Sequence, residues 1–567
     1  MSTIIRTRAA DAGATSTPWW RRVRRPPFVG VAVGVVFLCM SLTPSLVPRG
    51  WLLQGVVSGA SAAIGYGLGV LGSHLVRQLA PGWREPSPRG RQRSWRALSV
   101  VSVVAVVGFG AFAGQWQQQL HRLMAVEDPP SSSYLGTVVV ATVLAVLLVV
   151  TGRGVRRAAR VAGVRLRRWR WLHPDLAAVL GAILVGVLLL GSVNGVVLPA
   201  TLVVADRSFR AVNEAIADEL SRPEDPLRSG GPGSHVTWES LGSQGRTFVD
   251  GAADAEALRA VNGRAVADPI RVYTGLDSAA DVDERAQLAV AELERAGAFD
   301  REVLVVAGAT GRGWVNPLAA SAIEHLHDGD TAIVTMQYSY LPSWLSFLAD
   351  RERAAEAGAE LFEQVHRAWE RRAEDQRPQL FVYGESLGSM AVESAFEGLD
   401  DLRARTDGAL FVGPPNVNPL WSELMAARDE GTRQLRPIVD EGRAVRFAAS
   451  REDLARPGAR WEHPRVAYLQ HPSDPVVWWS TDLVVRRPPW LAEPRGDDVL
   501  PQMRWFPFVT FWQLSADLAH ADDVPPGHGH DYGTLVLDGW LAVASPDDWD
   551  GADIEQLRRH LAHEIDR

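Results

Sequence analysis

Lysine is absent from this sequence, and cysteine occurs once, as Cys39. A single thiol makes no internal disulfide and no cysteine metal cluster, so the folded part must hold together through its core whatever compartment it occupies. The missing lysine, with arginine in every basic position, is read as a bias toward GC-rich codons and not as chemistry. The formal net charge of −8 argues against a polyanion-binding surface, which needs clustered cations on the binding face. No nucleic-acid partner is expected. Also missing is the zinc-protease H-E-x-x-H pattern, and the glycine-rich loop in VVAGATGRGWVNP (305–317) matches neither phosphate-loop pattern, G-x-x-x-x-G-K-[ST] nor G-x-G-x-x-G. No cofactor and no metal are expected.

What is present divides the chain in two. Roughly the first 205 residues carry long Val/Leu/Gly/Ala runs broken by arginine clusters, and the rest has an acidic, globular composition. Five runs, 28–46, 52–76, 97–115, 134–151 and 176–203, are long enough as helices to cross roughly 30 Å of hydrocarbon. The first, FVGVAVGVVFLCMSL, lacks a small-residue cleavage site and precedes four further runs, so it is read as retained and not as a signal peptide. Arginines crowd WWRRVRR, the 77–96 segment (Arg84, Arg89, Arg91, Arg93, Arg96) and RGVRRAARVAGVRLRRWR (153–170), whereas the connections near 47–51 and 116–133 carry few. The positive-inside rule places the basic segments and the N-terminus in the cytoplasm, and an odd number of spans then places the C-terminal domain outside the cell membrane. Gly30/Gly34 and Gly110/Gly114 have GxxxG spacing, read as packing within the bundle. With no charged residue deep in a span and only His74 at a border, a transport route is disfavoured.

Residues 206–267, which include SRPEDPLRSGGPGS, read as a linker and lead-in segment, and 268–567 as the second, globular domain. There, short β-branched runs (270–276, 301–308, 331–338, 379–384, 408–413, 465–470) alternate with helical stretches such as 281–297 and 350–373. This pattern predicts a mostly parallel sheet flanked by helices.

The pentapeptide ESLGS occurs twice, at 239–243 and 385–389. In the second copy Ser386 follows the strand QLFVYG, precedes the helix-compatible SMAVESAF and has Gly384 and Gly388 at −2 and +2, around Glu385 and Leu387. That is the G-x-S-x-G turn in which crowded backbones require glycine and the serine is pushed out above the sheet. The first copy has Trp238 where the second has Gly384, so Ser240 reads as structural. Such a nucleophile needs an acid and then a histidine later in the chain. Asp474 follows the strand RVAYLQ at the same sheet edge, where it would orient an imidazole; the plainer alternative is that it caps the turn before Pro475. The histidine comes from VPPGHGHDYG, which follows the strand-like RWFPFVTFWQL. The spacing favours His530, nearer a helix expected from about Tyr532, and leaves His528 open. His528, His530 and Asp531 together also suggest a metal site, but an incomplete one. For the oxyanion, the amide of Leu387 and those of Ala309, Thr310 and Gly311, in the glycine-rich loop after VLVVAG, are the candidates.

With these residues the chain resembles the α/β-hydrolase superfamily. More narrowly it is similar to a bacterial, mainly actinobacterial, family of multi-pass membrane proteins with an α/β-hydrolase domain, through DPIRVYTGLDSA, ATGRGWVNP, QYSYLPSWLS, GESLGS, GPPNVNPLW and PPGHGHDYG. The resemblance implies serine-hydrolase chemistry on an acyl ester, with no cofactor. Acyl transfer to envelope lipids or sugars, or a catalytically silent envelope scaffold, are the alternatives. The expected partners are the lipid bilayer and a lipidic or acylated small molecule. The aromatics of QYSYLPSWLSFL and VVWWSTDLVV would line a lipid pocket or touch the bilayer, or else serve as core packing.

Overall fold

The computed structural model describes residues 27–79, 87–127, 133–169, 173–215, 220–264, 266–546 and 549–565. The basic stretch 19–25, Arg84, Asp128 and Trp171 lie outside the described residues.

Among the described residues four helical stretches are long and apolar enough to cross a membrane: Trp51–Leu79, Pro88–Leu123, Leu135–Leu166 and Pro174–Glu214. The fifth expected span is shorter than anticipated. Its helix, Phe28–Ser41, has 14 residues, about 21 Å at the helical rise of ~1.5 Å per residue. The expected span ran on to Leu46 because that residue is apolar, but it is fully buried against the sheet domain, as is Val47 just beyond it. Leu46 belongs to the core of that domain, and Val47 packs with Leu120, Met124, Leu500 and Val524. Gly30 and Gly34 serve the bundle: a Cβ on Gly30 would meet Val70 at 2.8 Å, and one on Gly34 the Ala62 carbonyl at 3.0 Å, whereas Gly110 faces open space.

The C-terminal domain is a seven-stranded, wholly parallel sheet: β1 (Ile270–Thr274), β2 (Val303–Gly308), β3 (Thr331–Met336), β4 (Gln379–Glu385), β5 (Gly408–Val412), β6 (Val445–Ala448) and β7 (Arg465–Leu469), in the order β1-β3-β2-β4-β5-β7-β6. Alternate strand residues feed two cores, as a period of two requires. Leu304, Val306, Val382 and Phe411 face helices Val282–Ala296 and Arg351–Glu370. Val305, Tyr383, Leu410 and Leu469 face helices Pro317–Leu326 and Leu535–Ala544. Strands covered on both sides read as continuous apolar runs, which is why six were visible in the sequence. The seventh, β6, is four residues long and contains Arg446, whose guanidinium donates to the carbonyls of Gly442, Leu454 and Ala459.

RWFPFVTFWQL is not a strand. Its second half opens the helix Val509–Asp517, and the helix after Tyr532 begins at Leu535. The helix Val509–Asp517 receives the segment that follows the helix Phe28–Ser41. Asp517 accepts from Ser45 Oγ at 2.8 Å and Leu46 N at 3.1 Å, and pairs with Arg49 at 3.4 Å with both side chains fully buried. Gln513 Nε2 donates to the Thr43 carbonyl at 2.9 Å. The lead-in segment is also fixed to the sheet: Tyr273 N donates to Ser229 Oγ, Ser229 N to the Arg271 carbonyl, and Arg246 to the carbonyls of Asn213 and Ala215.

Candidate active site

β4 ends in a reversal. Ser386 has φ 52° and ψ −129°, a conformation non-glycine residues rarely adopt, and the helix Leu387–Glu393 starts directly after it. Its amide is held by the Val412 carbonyl at 2.8 Å, which fixes the turn to the end of β5. The flanking glycines are required by contact. A Cβ on Gly384 would lie 2.5 Å from Ser389 Cα, and one on Gly388 only 2.1 Å from the Gly308 carbonyl oxygen. Strain held by surrounding structure is a mark of functional turns.

Asp474 and His530 meet across the carboxyl edge of the sheet, Nδ1 to Oδ2 at 2.7 Å, with both side chains buried. Asp474 uses its oxygens separately. Oδ1 accepts from Val476 N at 2.8 Å, the cap read from the sequence as the plainer role, while Oδ2 takes His530 and the hydroxyl of Tyr532, also at 2.7 Å. The imidazole lies against Gly413, where a Cβ would come within 2.4 Å of His530 Cε1; with φ +54° this position suits glycine twice over. Gly413 directly follows Val412, so the serine turn and the imidazole are built on the same strand end.

His528 is not placed against Asp474. It forms a backbone bridge with Asp531, and its Nδ1 is buried without a partner. Among the described residues no three His, Cys, Asp or Glu side chains are grouped so as to hold a metal ion. On the oxyanion side, the Leu387 amide opens the helix after the turn. In the facing loop the Thr310 amide is committed to the Trp314 carbonyl at 2.9 Å, which leaves Ala309 and Gly311 of the three expected donors.

Two residues not singled out from the sequence complete the site. Tyr532 donates to Asp474, accepts from His471 N at 3.1 Å, and stacks on the His471 ring at a centroid distance of 4.1 Å. Asn316 donates to Glu385 Oε2 at 2.7 Å, as Tyr383 Oη does, so that the turn and the β2 loop share one buried carboxylate. Tyr532 and Asn316 were present within HDYG and WVNP, but hydrogen bonds spanning 58 and 69 residues leave no local signal.

Electrostatically the site favours a charged imidazole. Burial alone disfavours the imidazolium of His530; the charge and hydrogen bond of Asp474, with Asp522 and Glu385 farther off, overcome that and raise its pKa to about 10. Burial raises Glu385 to about 6, against the opposing influence of His530 and its hydrogen bonds from Tyr383 and Asn316. The expected pocket aromatics are largely core: Trp478 and Trp479 are buried, and Trp479 sits between Phe347 and Phe511 at 5.5 and 5.6 Å. Trp344 remains half exposed.

A family model described as "Alpha/beta-hydrolase family" matches residues 270–557, and one described as "Alpha/beta-hydrolase family N-terminus" matches 42–252, starting directly after the helix Phe28–Ser41. No curated protein and no solved structure matches the chain. Matched over the whole sheet domain and most of the apolar helical region, the chain belongs to the alpha/beta-hydrolase family.

Proposed function

We propose that the protein is a membrane-anchored serine hydrolase of esterase type, with Ser386 as nucleophile, His530 as general base and Asp474 as the residue that orients it. The observation that carries this reading is the 2.7 Å contact between His530 Nδ1 and Asp474 Oδ2, set beside the strained Ser386 turn. His530 Nε2 takes the hydroxyl proton as Ser386 Oγ attacks the acyl carbonyl carbon. The oxyanion is held by the amide of Leu387 with Ala309 or Gly311. The leaving alcohol then takes the proton from His530, and water repeats the sequence to free the acid.

The anchoring rests on the four long apolar stretches. The sheet domain binds the segment 43–49, the end of helix Pro88–Leu123 through Leu120, and Asn213 near the end of the last stretch. Arginines 77, 89, 91, 93, 153, 156, 157, 160 and 165 sit at the opposite ends of these helices. That arrangement supports an extracytoplasmic catalytic domain at the cell membrane by the positive-inside rule. The domain's side is the same whether or not the first helix is a full span, because four crossings return the chain to the side of residues 43–49.

The test is hydrolysis of a p-nitrophenyl ester series, from acetyl to palmitoyl, by the full chain in detergent. Turnover that vanishes in Ser386→Ala supports the reading; turnover unchanged in that variant sinks it. Acyl transfer shares every step up to the acyl-enzyme and is distinguished by ester product when an acceptor alcohol is added.

A further inference from the structure

One cleft lies away from Ser386. It has a volume of about 710 Å³ and lies between Leu123, the last residue of helix Pro88–Leu123, and the 487–504 segment of the sheet domain. Three arginines, Arg487, Arg495 and Arg504, line it, and none makes an ion pair among the described residues. Their hydrogen bonds all go to backbone carbonyls: Arg487 to Leu491, Arg495 to Glu493 and Met503, Arg504 to Pro501 and Met503. The two carboxylates on the wall are engaged elsewhere. Glu493 accepts from Gln434 N at 2.8 Å and lies 3.7 Å from Arg428, and Asp497 pairs with Arg436 at 3.1 Å. Arg495 Nε is shut off from solvent with no partner. Burial, and then the charges of Arg504 and Arg487, depress the Arg495 pKa, the mark of cations held together without a counter-ion.

Position narrows what such a cluster is for. The cleft adjoins the end of a helix whose middle is lined by exposed valines (Val100, Val103, Val107), and the turn before it exposes Val485. The helix Val509–Asp517 follows, with Phe508 N bonded to the Val484 carbonyl and its far end holding Ser45 and Leu46. A site at this junction opens beside the bilayer surface. Guanidinium groups match phosphate oxygens in charge and in planar, forked geometry better than any other side chain.

We propose that this cleft is an anion site for a phosphate group, filled by the headgroup of a phospholipid or by free phosphate. It stands independently of the hydrolase reading. The same loop reaches toward the candidate active site: a Cβ on Gly496 would touch Pro472 at 2.2 Å, and Asp498 accepts from Ser473 N and Ser473 Oγ, the residue before Asp474. A phosphate bound among the arginines therefore bears on the strand end that carries Asp474.

The experiment uses the full chain in detergent and reads lipid adducts by native mass spectrometry. It compares dioleoylphosphatidylglycerol with dioleoylglycerol, with and without inorganic phosphate as competitor. The double variant R487Q/R504Q alters two exposed side chains and leaves Arg495 to hold its loop. R487K/R504K keeps the charge, and R486Q changes a neighbouring arginine outside the cleft. The phosphatidyl lipid should bind about tenfold or more tightly to wild type than to R487Q/R504Q, with R486Q like wild type and the lysine variant between. Binding of that kind that resists inorganic phosphate identifies the lipid headgroup; displacement by inorganic phosphate, or phosphate binding without lipid selectivity, identifies free phosphate. Equal binding of the two lipids with no effect of phosphate on wild type, or phosphate-dependent binding unchanged in R487Q/R504Q, overturns the proposal. If the double variant fails to match the wild-type melting temperature, the wild-type comparison of the two lipids and of phosphate decides alone.

Discussion

The two copies of Glu-Ser-Leu-Gly-Ser have the same five residues and different structures. In the first, Glu239–Leu241 is one turn of 3-10 helix following the buried Trp238, and Ser240 Oγ is spent on the Thr237 carbonyl at 2.9 Å and on Ser278 Oγ at 3.1 Å. In the second, the same tripeptide crosses from β4 into a helix, and Ser386 is held at positive φ. A pentapeptide does not fix its own conformation. What separates the copies is the residue before each and the strand that leads in: glycine near the end of a buried β4 permits a close reversal, and tryptophan after a loop does not.

The comparison is broken most directly by exchanging the serines for alanine. Ser386→Ala should lower ester turnover by about 10⁶-fold, the scale seen when a triad nucleophile is removed, whereas Ser240→Ala should leave it within about twofold, since surface-loop changes remote from the chemistry are nearly neutral. Equal losses would erase the distinction. The histidines form a parallel pair. His530→Ala should cost about 10⁴-fold or more, and His528→Ala, which touches no part of the Asp474 pair, less than about tenfold. A steady-state comparison of purified variants separates them.

Geometry predicts the next effects. Gly384→Ala places a Cβ 2.5 Å from Ser389 Cα, so the turn must open. Denaturant unfolding should show a loss of about 1–3 kcal/mol, the usual range for overpacking, along with loss of turnover. Tyr532→Phe removes one of two donors to Asp474 Oδ2 while keeping the ring stacked on His471. A drop of about tenfold in kcat, corresponding to ~1.4 kcal/mol for one hydrogen bond to a charged group, with KM unchanged, is the expected signature of a positioning residue.

The smallest effect is a shift in the pH profile. The base must be neutral, and His530 is raised to about 10, so kcat/KM should climb with pH through an apparent pKa above the ordinary imidazole value of about 6.5. Glu385→Gln removes a negative charge that favours the imidazolium, so the rising limb should move to lower pH. In stability the sign is the reverse. A raised histidine pKa contributes fully below about 6.5 and fades as pH rises through the folded value.

How far the sequence could be read follows from which contacts are local. Six strands, the turn at Ser386 and the order Ser, Asp, His were legible because each is written in a short run or in chain order. β6 was hidden by its length and by Arg446. Leu46 was assigned to lipid because apolarity does not say which surface covers a residue, and RWFPFVTFWQL looked like a strand because its aromatics read as β until the segment 43–49 is seen packing on it. Tyr532, Asn316 and Asp517 act through partners far away in the chain, and no periodicity reports that. The choice between His528 and His530, left open by two glycines and one residue of spacing, needed the position of Asp474.

The central claim is that Ser386, and not Ser240, is activated by its neighbours. A fluorescent fluorophosphonate bonds only to a serine made nucleophilic, so labelling of detergent-solubilised wild type, Ser386→Ala and Ser240→Ala addresses it in one gel. Labelling of wild type and Ser240→Ala with none in Ser386→Ala is the predicted result; labelling that survives in Ser386→Ala, or no labelling of folded wild type, would contradict it.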